Sequence, residues 1–125
     1  MTYNQIMDEA MLHIQIEREL SAGLQAREQG LEGKARVCAR RAVGIVLRHH
    51  FSRRQPQMAS LSVVDMIQVY HENSDLPPSI REICAHLLTR VDPDYNLPVP
   101  VDLLAEAQLL IDHILEELNR NDRSA

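Results

Sequence analysis

The residues best suited to chemistry in this 125-residue chain are arginines. Arg40, Arg41 and Arg48 recur along one predicted helix, and Arg53 and Arg54 follow at its end. A guanidinium group presents forked donors that match two oxygens of a phosphate at once. Periodicity places Arg40, Arg41 and Arg48 on the side of the helix away from its apolar residues, with His49 on the apolar stripe and His50 on its edge. Arg40, Arg41, Arg48, His49, Arg53 and Arg54 are therefore the candidate ligand-binding residues, for an anion or a nucleic acid. A plainer alternative stays open. Cations near a helix C-terminus complement its dipole and can pair with acidic helices elsewhere in the chain. Phe51 is the one Phe of the chain, so base stacking would contribute little and binding would run through phosphate, with strong salt dependence.

The six histidines suggest no metal site. His49 and His50 are adjacent, so on a helix they point about 100° apart. No His-x-x-x-His or Glu-x-x-His pair supports them, and Cys38 and Cys84 lack cysteine partners. His49 reads as a hydrogen-bonded core residue or, with Arg41 and Arg48 near, as a general base. No glycine-rich phosphate loop and no supported Ser-His-Asp or Cys-His arrangement is present. Asp92 and Asp94 flank Pro93 as turn residues do. Met7, Met11, Met58 and Met66 are expected to fill gaps in the core. No cofactor is implied.

The charge distribution sharpens the case for the arginines. The chain carries a formal net charge of -5. Between Lys34 and Val64, however, there is no Asp or Glu, and seven of the thirteen basic residues fall there. The rest of the chain holds all eighteen acidic residues, a balance of -12 around a +7 segment. Length predicts one domain over residues 1-125, with the last few residues disordered. A 45% hydrophobic content excludes general disorder. The longest apolar run is too short for a membrane span. The mixed, acidic start MTYNQIMDEA argues against a secretory signal, and two cysteines fit a reducing cytoplasm.

The elements that must position these residues are helical throughout. Thr2 and Gln5 form a capping box that opens a helix running to about Gln29. On it Ile6, Met7, Ala10, Met11 and Ile14 share one face, with His13, Ile16, Leu20 and Leu24 on a neighbouring one. That apolar surface is broader than one packing stripe needs, so the helix either touches two neighbours or faces another subunit. A second helix spans about Gly33 to Phe51 on a stripe of Ala35, Cys38, Ala39, Ala42, Ile45 and Val46. Ser62 with Asp65 caps a short helix through Tyr70, and Ser79 with Glu82 caps another. After a proline-rich loop, Leu103, Leu104, Ala107, Leu110, Ile111, Ile114, Leu115 and Leu118 form the stripe of a last long helix. The expected architecture is an all-α, up-and-down bundle of three long and two short helices.

The run from Gly30 to Leu47 resembles the second helix of HEPN domains (higher eukaryotes and prokaryotes nucleotide-binding), with its small residues and arginines after a glycine-containing turn. The segment Leu87 to Tyr95, Leu-Leu-Thr-Arg-Val-Asp-Pro-Asp-Tyr, is similar to the corner that precedes the family's final helix. The resemblance implies a helical bundle that dimerises. It also implies one of two roles. One is a non-catalytic module that binds a nucleotide, RNA or a partner protein, often a small nucleotidyltransferase. The other is a metal-independent endoribonuclease of a toxin or RNA-processing system. The ribonuclease type carries an Arg, four to six residues, then a His, and this chain departs from that pattern. No His follows Arg90 until His113, while Arg81 and His86 have the spacing one helix early. Five residues on a continuous helix turn about 140° away from each other, so those two side chains converge only across a dimer axis or a broken helix. Arg81, His86 and Arg90 are thus the catalytic candidates the resemblance supplies. A purely structural dimerisation module is the third alternative.

Overall fold

In the computed structural model, which describes residues 2–89 and 101–124, the chain forms five α-helices and a 3-10 turn, with no strand among the described residues. They are α1 (Tyr3–Glu28), α2 (Glu32–Arg54), the turn Pro56–Met58, α3 (Val63–His71), α4 (Pro78–Leu88) and α5 (Leu103–Ser124). This is the expected all-α bundle.

Local chemistry sets most boundaries. The Thr2 hydroxyl accepts from the Gln5 N–H at 3.2 Å, and the Gln5 side chain accepts from the Thr2 N–H at 2.7 Å. Together they close the capping box at the start of α1. The helix ends on Gly30 at φ 78°, where the Leu31 N–H donates to Ala26 O at 2.8 Å and the Gly30 N–H to Arg27 O at 3.0 Å. Only glycine adopts that φ without strain, so Gly30 turns the chain back into α2. Ser62 accepts from the Asp65 N–H at 3.1 Å and starts α3 as expected.

Two boundaries differ from the periodic reading. Helix α2 runs on through Arg54 and stops where Gln55, extended at φ -139°, precedes Pro56. Helix α4 begins at Pro78 rather than after Ser79. The ring of Pro78 already supplies helical φ at the first position, and the Pro77 carbonyl accepts from Ile80 and Arg81.

The core is centred on α2, which touches α1, α3 and α5, while α4 packs on α3 and α5. The stripe expected on α2 is buried except for Ile45, which is half-buried. Val43, Gly44, Leu47, His50 and Phe51 are buried as well. At Gly44 the backbone of α2 comes so close to Val63 that a Cβ there would lie 2.6 Å from Val63 Cγ2. At Gly23 a Cβ would lie 2.6 Å from Leu104, so α1 and the start of α5 also meet through a missing side chain. Helix α5 buries the stripe read from its sequence, with Leu115 half-buried.

Helix α1 corrects the sequence reading. Its inner face is Leu12, Ile16, Leu20, Gly23 and Ala26. Ile6, Met7, Ala10, Met11 and Ile14 point outward instead. The two apolar sets lie on roughly opposite sides of one helix, and the bundle covers only the first. Two of the four methionines assigned to the core are therefore outside it. Met66 is fully buried and Met58 half-buried, but Met7 and Met11 are 44% and 45% exposed.

Candidate functional site

The arginines of α2 do not share one fate. Arg40 was expected to project from the outward face, but it turns along the bundle to the end of α4. Its Nε donates to Leu87 O at 2.9 Å and its Nη2 to Thr89 O at 3.2 Å. Carbonyls at a helix C-terminus lack intrahelical donors, and this guanidinium supplies them. Burial, with the like charge of Arg36 near, pushes the Arg40 pKa down. Arg36 itself is buried, its Nε donating to Glu32 O at 3.4 Å. Arg48 Nη1 donates to Ala59 O at 2.9 Å and Leu61 O at 3.4 Å, fixing the segment that leads from α2 to α3. Arg41, Arg53 and Arg54 are exposed.

Arg48 and His49 meet in one place. The N-terminal half of α1 and the C-terminal half of α2 enclose a groove of about 350 Å³. Met11, Leu12 and Ile45 supply its apolar lining, and Asp8, Gln15, Arg48, His49 and Ser52 its polar groups. Ser52 Oγ donates to Arg48 O at 2.7 Å, which leaves the hydroxyl oxygen free to accept. The groove therefore offers a guanidinium and an imidazole on one wall and a carboxylate and an amide on the other, able to orient a small polar ligand by hydrogen bonds.

The catalytic candidates are kept apart. Arg81 Nη2 donates to Asn73 O and Ser74 O at 3.2 and 3.3 Å, holding the turn between α3 and α4. His86 Nδ1 lies 2.7 Å from Glu106 Oε1 of α5, and its Nε2 lies 3.7 Å from Glu82. Helix α4 is continuous between Arg81 and His86, so within one copy the two side chains face different neighbours. Arg90 and the Asp92–Tyr95 corner lie outside the described residues.

A polar cluster that sequence reasoning missed sits where α2, α3 and α5 meet. Tyr70 OH donates to Glu117 Oε1 at 2.7 Å, and His113 Nε2 lies 2.9 Å from the same oxygen. His50, rather than His49, is the buried histidine. Its ring stands edge-on to Phe51 and Tyr70 at 5.3 and 5.7 Å, and its Nδ1 has no hydrogen-bond partner among the described residues. Burial first, and then Arg54, lower its pKa. The i, i+4 spacing of His113 and Glu117 was visible in the sequence, but nothing there linked them to Tyr70.

A single guanidinium at the end of α1 ties the start of α2 to the residue that precedes α5. Arg27 holds Glu32 through Nε at 3.1 Å and Nη2 at 2.9 Å, and Asp102 through Nη1 at 2.9 Å. Asp102 in turn accepts from the Ala105 N–H at the start of α5. Against the upward push of burial, Ala105 and Arg27 hold the Asp102 carboxyl below the usual carboxylate range. Among the described residues no three His, Cys, Asp or Glu side chains gather as metal ligands, and no helix is long and apolar enough to cross a membrane.

A further exposed feature is the outer side of α1. Tyr3, Met7, Ala10 and Ile14 follow the 4-3-4 spacing of a helix–helix seam, with Ile6 and Met11 at its edges. Past Ile14 the same side continues as a shallow trough lined by His13, Glu17, Arg18, Ser21, Ala22 and Gln25. Comparison of the chain with protein-family models, curated proteins and solved structures finds no match.

Proposed function

We propose that this chain is a non-catalytic, HEPN-like binding module. It pairs with a second copy through the outer side of α1 and binds the phosphates of a nucleotide or RNA through the basic end of α2. The observation that carries the reading is the uncovered seam of α1. Tyr3, Ile6, Met7, Met11 and Ile14 are 44–75% exposed. They leave roughly 500 Å² of side-chain surface per copy, so a symmetric pair would remove at most about 1,000 Å² from water, the lower bound for a specific interface. The heptad spacing suits a second α1, and the small side chain of Ala10 lets the two helices approach closely there. Arg41 has no hydrogen-bond or ion-pair partner among the described residues. Arg48 lines the groove, and its hydrogen bonds to the described residues all run through Nη1. Both facts support the phosphate half of the reading. A cytoplasmic setting, suggested by the two unpaired cysteines, and a small nucleotidyltransferase as partner protein, which rests on the family resemblance alone, belong to the same proposal.

Light scattering over a range of concentrations, with nucleotide and RNA titrations at low and raised salt, tests both halves. The wild type is expected to scatter as two chains of 14.3 kDa. Ala10→Glu/Ile14→Glu is expected to scatter as one with unchanged circular dichroism. Arg41→Glu/Arg54→Glu is expected to weaken phosphate binding and flatten its salt slope. A single-chain mass at every concentration rejects the seam. Negligible, salt-independent binding by the wild type rejects the phosphate site.

A further inference from the structure

Two methionines stand on the outer side of α1 and outside the core, Met11 also lining the α1–α2 groove. Met7 and Met11 lie one turn apart, at 44% and 45% exposure, beside Ile6, Ala10 and Ile14. The other two methionines with described side chains, Met58 and Met66, are half-buried and fully buried. A thioether needs no ionisation to be oxidised, so access governs which methionine reacts. Competing thiols are withdrawn. Cys38 and Cys84 are both buried, and burial pushes the Cys84 thiol up to about 11.

We infer that Met7 and Met11 form a peroxide-sensitive pair whose oxidation to sulfoxide releases the self-association of α1. The inference rests on the reading of that seam as a contact between two copies. The chemistry is a two-electron transfer. A sulfur lone pair attacks one oxygen of hydrogen peroxide, an S–O bond forms and the O–O bond breaks. Sulfur is oxidised, and the departing hydroxide takes up the proton lost from the transferred hydroxyl, leaving water. Each product sulfoxide carries a strong, hydrated acceptor where Ile6, Ala10 and Ile14 offer no donor. In a symmetric pair every modification occurs twice, so four new acceptors would have to be desolvated at one interface. Pairing also covers the sulfur atoms, so the reduced dimer protects itself and the free chain is the form that reacts.

Peroxide treatment of the full chain, followed by peptide mass spectrometry and light scattering before and after, tests the inference. Met7 and Met11 are expected to gain one oxygen each well before Met66, and more slowly as protein concentration rises. The dissociation constant should increase at least about tenfold. The methionine sulfoxide reductases that act on the two sulfoxide epimers should restore it. Met7→Leu/Met11→Leu, compared only with itself before and after treatment, should lose the response. Unchanged association with both sulfoxides present, earlier oxidation of Met66, or a retained response in the double variant each overturns the inference. A chain that is monomeric before treatment rejects the seam itself, and the switch with it.

Discussion

Replacing Arg40 separates the structural from the binding arginines. Its guanidinium donates two hydrogen bonds to the carbonyls that end α4, one of 2.9 Å and one of 3.2 Å. A hydrogen bond from a charged donor contributes about 1.5–3 kcal/mol, with the longer bond at the low end. Burial opposes this, since it lowers the Arg40 pKa and so disfavours the cation in the fold. The side chain is only half-buried, so water can reach Leu87 O and Thr89 O once it is gone. These terms leave a net loss of about 2 kcal/mol for Arg40→Ala. For a domain of this size that corresponds to a fall in melting temperature of roughly 5–10 °C. Arg40→Met keeps most of the aliphatic stem and should lose nearly as much, which assigns the loss to the donors rather than to packing. Arg41→Ala, one residue on and exposed, should stay within about 0.5 kcal/mol of the wild type. Urea unfolding followed by circular dichroism reads all three. Equal stabilities for the Arg40 and Arg41 variants would refute the reasoning and return Arg40 to the surface.

Two further perturbations probe the junctions around α2. At Gly44 an added Cβ meets Val63 Cγ2 at 2.6 Å and Cγ1 at 3.1 Å. Gly44→Ala should therefore cost about 1–2 kcal/mol in the wild type, overpacking outweighing the roughly 1 kcal/mol gained in helix propensity, yet be neutral or stabilising beside Val63→Ala. The same change in both backgrounds, measured by urea unfolding as a double-mutant cycle, would show that the two helices are not in contact there. At His50 the folded pKa lies below the ordinary value of 6.5. The neutral ring thus contributes stability that is fully present above about pH 6.5 and is lost as pH falls through the folded value. His50→Leu should flatten the decline in melting temperature as pH falls below about 6.5, and an unaltered slope would place the titration on another group.

Helix existence was readable because each apolar stripe repeats at the helical period and the starts of α1 and α3 carry their own capping chemistry. The Thr2–Gln5 box and the Ser62 cap are complete within four residues, so no tertiary information was needed. What the pattern could not supply was which of two apolar faces is covered. On α1 the sets around Ile14 and around Ile16 both satisfy the period, and Leu12 with Gly23 selects the second only because α2 and Leu104 approach there. The same gap explains the histidines. His49 and His50 stand about 100° apart, and the choice of which turns inward depends on Tyr70, 20 residues further on. Arg40 was misread for a related reason. Periodicity fixes the direction in which its Cα–Cβ bond leaves the helix, but a long flexible side chain goes where unpaired carbonyls are.

That behaviour bears directly on the charge segregation. A carboxylate partner cancels the charge of an arginine, whereas a carbonyl partner satisfies its donors and leaves the charge in place. Arg40 and Arg48 both end on carbonyls, at Leu87, Thr89, Ala59 and Leu61. Arg27 of α1, by contrast, pairs with the carboxylates of Glu32 and Asp102. The bundle thus uses two of its basic side chains as braces without removing their positive charge from the α2 side. Arg41 and Arg54 are exposed on that same helix. An anion approaching the α1–α2 groove meets a guanidinium that is already oriented and loses little freedom on contact. The brace and the binding role proposed for Arg48 are compatible, because its Nη1 serves the first while its Nε and Nη2 remain for the second.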